Sequence, residues 1–231
     1  DRLFGGAVVR GSSAKILEVV REKNWFWHKY YKIPNGVHVY GRRHRPYGPH
    51  NYPHELQKIE QMVANRDELI WSTLAGKSFD VAAADSNTHE IPQIGKPNPG
   101  IKYKYGEEAL ATIKLAKGYK IELFASEQEF KNLANPSQLS FDNKGRLWVA
   151  TMPTYPHYKP GNPKPNDKLI ILEDTNGDGK ADKETVFVDD LHLPLGFEFA
   201  PEGVYVSQGT DLILLKDTNS DDRADAREIV L

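Results

Sequence analysis

Cysteine is absent from the 231 residues, which excludes disulfides, thiolate metal centres and cysteine nucleophiles. No apolar run reaches the roughly 18 residues that a membrane-spanning helix requires, so no transmembrane segment is expected. A leader peptide and lipidation signals are also missing, and the start at Asp1 is read as the edge of a fragment of a larger protein. The chemistry motifs are thin. There is no G-x-S-x-G elbow, no G-x-G-x-x-G fingerprint and no P-loop, and His54-Glu55 lacks the second histidine of a zinc-protease helix.

What is present is ordinary in bulk and uneven in place. Hydrophobic residues make up 39% and charged residues 27%, enough for a packed core. The net charge of −2 conceals an asymmetry. Residues 1–60 hold eleven Lys/Arg against five Asp/Glu, whereas residues 167–231 hold sixteen Asp/Glu against six Lys/Arg. Such a split indicates segments with different partners.

Three textures follow one another. Residues 1–76 read as helical. Ser12 or Ser13 caps a helix running to about Lys23, and a second helix runs from Pro53 or His54 to Leu74, with Gly76 as its stop. Between them, the aromatic, Pro- and Gly-bearing stretch from Trp25 reads as a loop. Residues 77–108 lack an apolar period and carry repeated Pro and Gly, as a linker does.

From 109 to 231 the pattern changes to short alternating runs. Strands are expected at 120–124, 138–141, 147–151, 169–172, 185–188, 197–199, 204–207 and 212–215. The segment KLIILEDTNGDGKAD (168–182) returns as DLILLKDTNSDDRAD (211–225), 43 residues later. PSQLSFDNKGRLWVAT (136–151) returns more loosely as PLGFEFAPEGVYVSQGT (194–210). Four-stranded units at this period are the mark of β-propeller blades. The fold class is therefore a mainly β C-terminal part, the first two blades or so of a propeller, behind a helical N-terminal segment.

The acidic repeat carries the strongest chemical signal. Asp174, Asn176, Asp178 and Asp182 stand at positions 1, 3, 5 and 9 of a loop with Gly179 at position 6. Alternate oxygen-bearing residues on a tight loop suit calcium, and the Lys180 carbonyl would fill position 7. Asp217, Asn219, Asp221 and Asp225 repeat the pattern, with Arg223 at the carbonyl position and Asp222 in place of the glycine. The competing reading is a solvated acidic turn. A structural calcium ion at each loop is the expectation.

Other candidates are weaker. His28, His38, His44, His50 and His54 show no metal-ligand spacing and read as packing or hydrogen-bonding residues. The basic, tyrosine-bearing stretch 41–52 is read as a surface loop, so no nucleic-acid partner is expected.

Residues 122–209, from ELFASEQEFKNLANPSQLSFD to GVYVSQG, resemble the membrane-bound dehydrogenase domain of planctomycetes, verrucomicrobia and Bacteroidetes, which is akin to the glucose/sorbosone dehydrogenase propellers. Residues 1–76, with NWFWHKYYKIPNGVHVYGRRHRPYGPHNYPHE, resemble the C-terminal tail of SGNH/GDSL-type hydrolase modules. The resemblance implies a periplasmic or secreted bacterial protein. The parent so implied would join an ester hydrolase for acylated carbohydrate to a sugar dehydrogenase-like propeller, and any pyrroloquinoline quinone would belong to that parent only. No catalytic residue of either family can be placed on this sequence; His157 and His192 read as loop histidines. The alternative is a non-catalytic, calcium-stabilised propeller that binds polysaccharide or protein.

Overall fold

The structure is a computed structural model that describes residues 10–31, 36, 50–92, 102–156 and 158–231. His38, His44, His157, most of the basic stretch 41–52 and the linker residues 93–101 lie outside the described residues. The chain divides into two compact units, Asp1–Lys96 with Lys159–Pro163, and Pro97–Tyr158 with Lys164–Leu231.

The first unit is helical. Helix α1 spans Arg10–Tyr31, α2 spans Tyr52–Leu74 and α3 spans Val81–Ser86. Helix α1 runs well past the expected end at Lys23, so the aromatic stretch Trp25–Tyr31 is helical and not loop. The reason is that neither Pro nor Gly interrupts it, and Phe26 has somewhere to go. That ring is buried, and the Arg66 guanidinium lies 4.6 Å above its centre. Ile59 and Met62 of α2 are buried with it, while Arg66 is held by Asp85 and faces Glu22. Pro53 stands in the first turn of α2, where its missing N–H costs nothing. Past Gly76 (φ +68°), Asp80 accepts from the Ala83 N–H at 3.0 Å and caps α3. The stretch read as a linker thus holds this short helix and a second, α4 (Gly106–Leu110). No described helix is long and apolar enough to cross a membrane.

The second unit is built on two four-stranded antiparallel sheets. The first is β1 (Pro136–Phe141), β2 (Leu147–Thr151), β3 (Asp167–Glu173) and β4 (Lys183–Leu191) in sequential order. The second repeats it with β5 (Pro194–Ala200), β6 (Gly203–Gln208), β7 (Asp211–Lys216) and β8 (Ala226–Ile229). Seven of the eight expected runs fall within these strands. Lys120–Phe124 does not, since it has no ladder partner, and β8 was not anticipated because AREI has no apolar alternation.

One core joins the sheets. Trp148, Leu169, Ile171 and Phe187 from the first pack against Phe197, Val204, Val206, Ile213 and Leu215 from the second. Trp148 meets Phe187 at 4.7 Å and Phe199 edge-on at 5.2 Å between ring centres. Alternation explains the register. Trp148 faces Ile171 across the ladder, whereas Val149 faces Ile170 on the opposite face of the sheet.

Candidate metal loops

The two acidic loops join β3 to β4 and β7 to β8, the same corner of each sheet. In the first, Asp174 Oδ1 accepts from the Gly177 and Asp178 N–H groups, and Oδ2 from the Gly179 N–H at 2.8 Å. Asn176 Oδ1 accepts from Asp178 N–H and Asp178 Oδ1 from Lys180 N–H, both at 2.9 Å. Asp182 closes the loop on the N–H and hydroxyl of Thr175. The backbone donors, Gly179 foremost, hold the Asp174 carboxyl below its ordinary value, so it stays ionised.

The second loop repeats most of these bonds, without a counterpart to the Gly177 N–H bond and with an added bond from Asn219 Nδ2 to Asp221 Oδ2 at 3.2 Å. Asp217 Oδ2 accepts from Asp222 N–H at 2.9 Å, Asn219 Oδ1 from Asp221 N–H, and Asp221 Oδ1 from Arg223 N–H at 3.0 Å. Asp225 accepts from the hydroxyl and N–H of Thr218, which lower its pKa in that order. Gly177 and Gly179 adopt φ of +80° and +87°, and Ser220 and Asp222 adopt +62° and +63° in their places. The second loop therefore pays a left-handed penalty at two side-chain-bearing residues to reach the same shape.

All ten residues picked from the sequence are thus in their expected corners: Asp174, Asn176, Asp178, Lys180 and Asp182 in one loop, Asp217, Asn219, Asp221, Arg223 and Asp225 in the other. Each loop wraps three carboxylates and an amide oxygen around one short turn, yet the oxygens are turned toward backbone donors. Among the described residues no three His, Asp or Glu side chains converge closely enough to hold a metal as they stand. The donor chemistry still suits a hard cation. A carboxylate oxygen that accepts one N–H keeps a second lone pair, and Asp178 Oδ2 has no hydrogen-bond partner among the described residues.

Two polar clusters escaped the sequence reading. Arg146 donates from Nε to Asp142 and from Nη1 to Asp222, each at 2.8 Å, and Trp148 Nε1 donates to Asp142 at 3.0 Å. Asp167, fully buried at the start of β3, accepts from Thr154 N–H through Oδ1 and from Leu193 N–H through Oδ2, both at 2.8 Å. Beside it, His192 is buried; its N–H donates to Gln208, and Nε2 accepts from Tyr158 N–H at 3.3 Å. An acid opening an apolar strand was the available signal for Asp167. In the helical unit, His54 and His89 stack in parallel with Nδ1 and Nε2 2.8 Å apart.

Residues 105–231 match the family described as Domain of unknown function (DUF7133). The chain belongs to that family. The DUF7133 region takes in both sheets, both acidic loops and the Asp167 and Arg146 clusters. No match was found among curated proteins or among solved structures.

Proposed function

We propose that the DUF7133 part of this chain is a run of β-propeller blades whose outer turns are shaped around calcium, serving as scaffold in an extracytoplasmic bacterial enzyme acting on carbohydrate. One observation carries the reading: the 43-residue repeat reproduces five side-chain-to-backbone bonds of the loop, with left-handed backbone at residues that resist it. A plain acidic turn has no need of that strain at two side-chain-bearing residues. Two sequential four-stranded meanders stacked face to face are also how adjacent blades pack.

In this reading the side chains of Asp174, Asn176, Asp178 and Asp182 and the Lys180 carbonyl hold one ion. Asp217, Asn219, Asp221, Asp225 and the Arg223 carbonyl hold the other. Bound calcium neutralises the clustered carboxylates and fixes the turns. The resemblance to sugar dehydrogenase-like propellers and SGNH-type modules supports a parent enzyme that oxidises sugars and cleaves their esters. Pyrroloquinoline quinone would be bound outside these residues, which carry none of the chemistry.

Thermal melts in calcium and in chelator test the proposal. Calcium binding to the folded state alone raises Tm, and magnesium, which demands tighter octahedral geometry, raises it less. Identical melting in calcium and in chelator overturns it.

A further inference from the structure

The hydrogen bond that ties the second loop to the first sheet has a twin. Ala224, in the second loop, donates its N–H to the Phe187 carbonyl of β4 at 2.7 Å; Ala181, at the same place in the first loop, donates to the Phe124 carbonyl at 2.8 Å. Phe124 therefore occupies toward the first sheet the position that Phe187, on an outermost strand, occupies toward the second. Its segment has no ladder of its own.

The faces tell the same story. Through the ladders, Leu139 and Phe141 of β1 correspond to Phe197 and Phe199 of β5, since each pair lies opposite matching residues of β2 and β6. Phe197 is only 5% exposed because Trp148 and its neighbours cover it. Leu139 and Phe141 are 61% and 60% exposed. Beside them Leu147, Val149, Leu172 and Phe124 line an apolar cavity of about 480 Å³.

We propose that Lys120–Phe124 is the outermost strand of a further sheet, whose other three antiparallel strands come from a partner segment and seat on Leu139, Phe141 and Leu147. This rests on the propeller reading and specifies its partner: a three-stranded sheet lacking its outer strand, with branched aliphatic residues on one face. A second copy of this chain does not fit, because β8 already fills the outer position of its second sheet and would collide with Lys120–Phe124.

Amide hydrogen exchange on the full chain tests this, with a synthetic peptide of the Thr210–Asp217 sequence as the incoming strand. Saturating peptide is expected to slow exchange at Ile121–Phe124 by about tenfold or more. The effect should vanish with an Ile213→Pro peptide, and with the Phe141→Asp chain, whose exposed position leaves the fold intact. No protection at these amides, or protection at β1, β4 or β8 instead, overturns the proposal. So does protection that grows with chain concentration alone, which assigns the surface to a second copy. Melts of the same chain in calcium and in chelator separate the two failures. A calcium-dependent rise in Tm with no protection at Ile121–Phe124 leaves the proposed function standing and sinks only this proposal; absence of both sinks the reading on which it rests.

Discussion

The Arg146 guanidinium, on the turn between β1 and β2, donates to the Asp222 carboxylate of the second acidic loop at 2.8 Å, so one ion pair stitches the first sheet to the second. Arg146 is 12% exposed and also holds Asp142. Its removal strands two acids that are mostly shielded from water. Arg146→Met is expected to destabilise the chain by about 2 kcal/mol, and Arg146 and Asp222 to couple by about 1 kcal/mol in a double-mutant cycle read by urea unfolding. Additive single effects would show that the pair contributes nothing.

The same cluster sets an acid limb. Burial raises the Asp142 pKa, but hydrogen bonds from Trp148 and Arg146 outweigh it; at Asp222 the Arg146 hydrogen bond dominates, and both values fall below the ordinary 3.8. Folded values below the unfolded one mean that this stabilisation is complete above the unfolded value and is lost as pH falls through the folded values. Urea melts between about pH 2 and pH 6 should show Arg146→Met losing less stability on acidification than the parent chain. An equal loss in both would place the acid sensitivity elsewhere.

Much of this architecture was legible because period-two alternation and a 43-residue repeat are local properties of the string. Leu169–Leu172 could hardly be anything but a buried strand, and Asp174-x-Asn176-x-Asp178 announces its own turn. What was not legible depends on distant neighbours. Trp25 and Trp27 read as loop because their helix is held by a contact distant in sequence, Arg66 over the Phe26 ring, forty residues away. Lys120–Phe124 has a strand's sequence and no strand to pair with. Arg146 carries no signal of its own, since nothing near it in sequence predicts Asp222.

Two glycines in hairpin turns should respond very differently to alanine. Gly203 has φ +149°, and a Cβ there would lie 2.2 Å from the Leu215 carbonyl oxygen, a backbone atom that cannot yield without opening the β6–β7 ladder. Gly145 has φ +77° with nothing within 4 Å, so its alanine meets only the left-handed penalty. Gly203→Ala should cost about 3 kcal/mol or more and Gly145→Ala about 1 kcal/mol. Equal midpoints in denaturant would contradict the close approach at β7.

The acidic loops differ in strain and should differ in affinity. Replacing Asp222 by glycine relieves its left-handed backbone while removing the partner of Arg146. Isothermal titration of Asp222→Gly should therefore show tighter calcium binding at the second loop, even as calcium-free stability falls through loss of the ion pair. Asp178→Asn and Asp221→Asn each remove a charge from one loop and should weaken binding at that loop alone. Loss at both loops from either change would mean that the sites are not independent.

Asp167 offers the cleanest test of how the loop after β2 is tied down. It is fully buried, and its two oxygens take the N–H groups of Thr154 and Leu193, one in the loop after β2 and the other in the crossover between the sheets. Asp167→Ala removes both acceptors and leaves two backbone donors without partners, at about 1 to 3 kcal/mol each. Asp167→Asn keeps one acceptor but points an amide N–H₂ at the other donor, so its cost should fall between alanine and the parent. The exchange readout separates this from general loosening. The Thr154 and Leu193 amides should both lose protection in the alanine variant and only one of them in the asparagine variant, while Ile170 and Ile171, paired in the middle of the sheet, keep theirs unless the whole sheet unfolds.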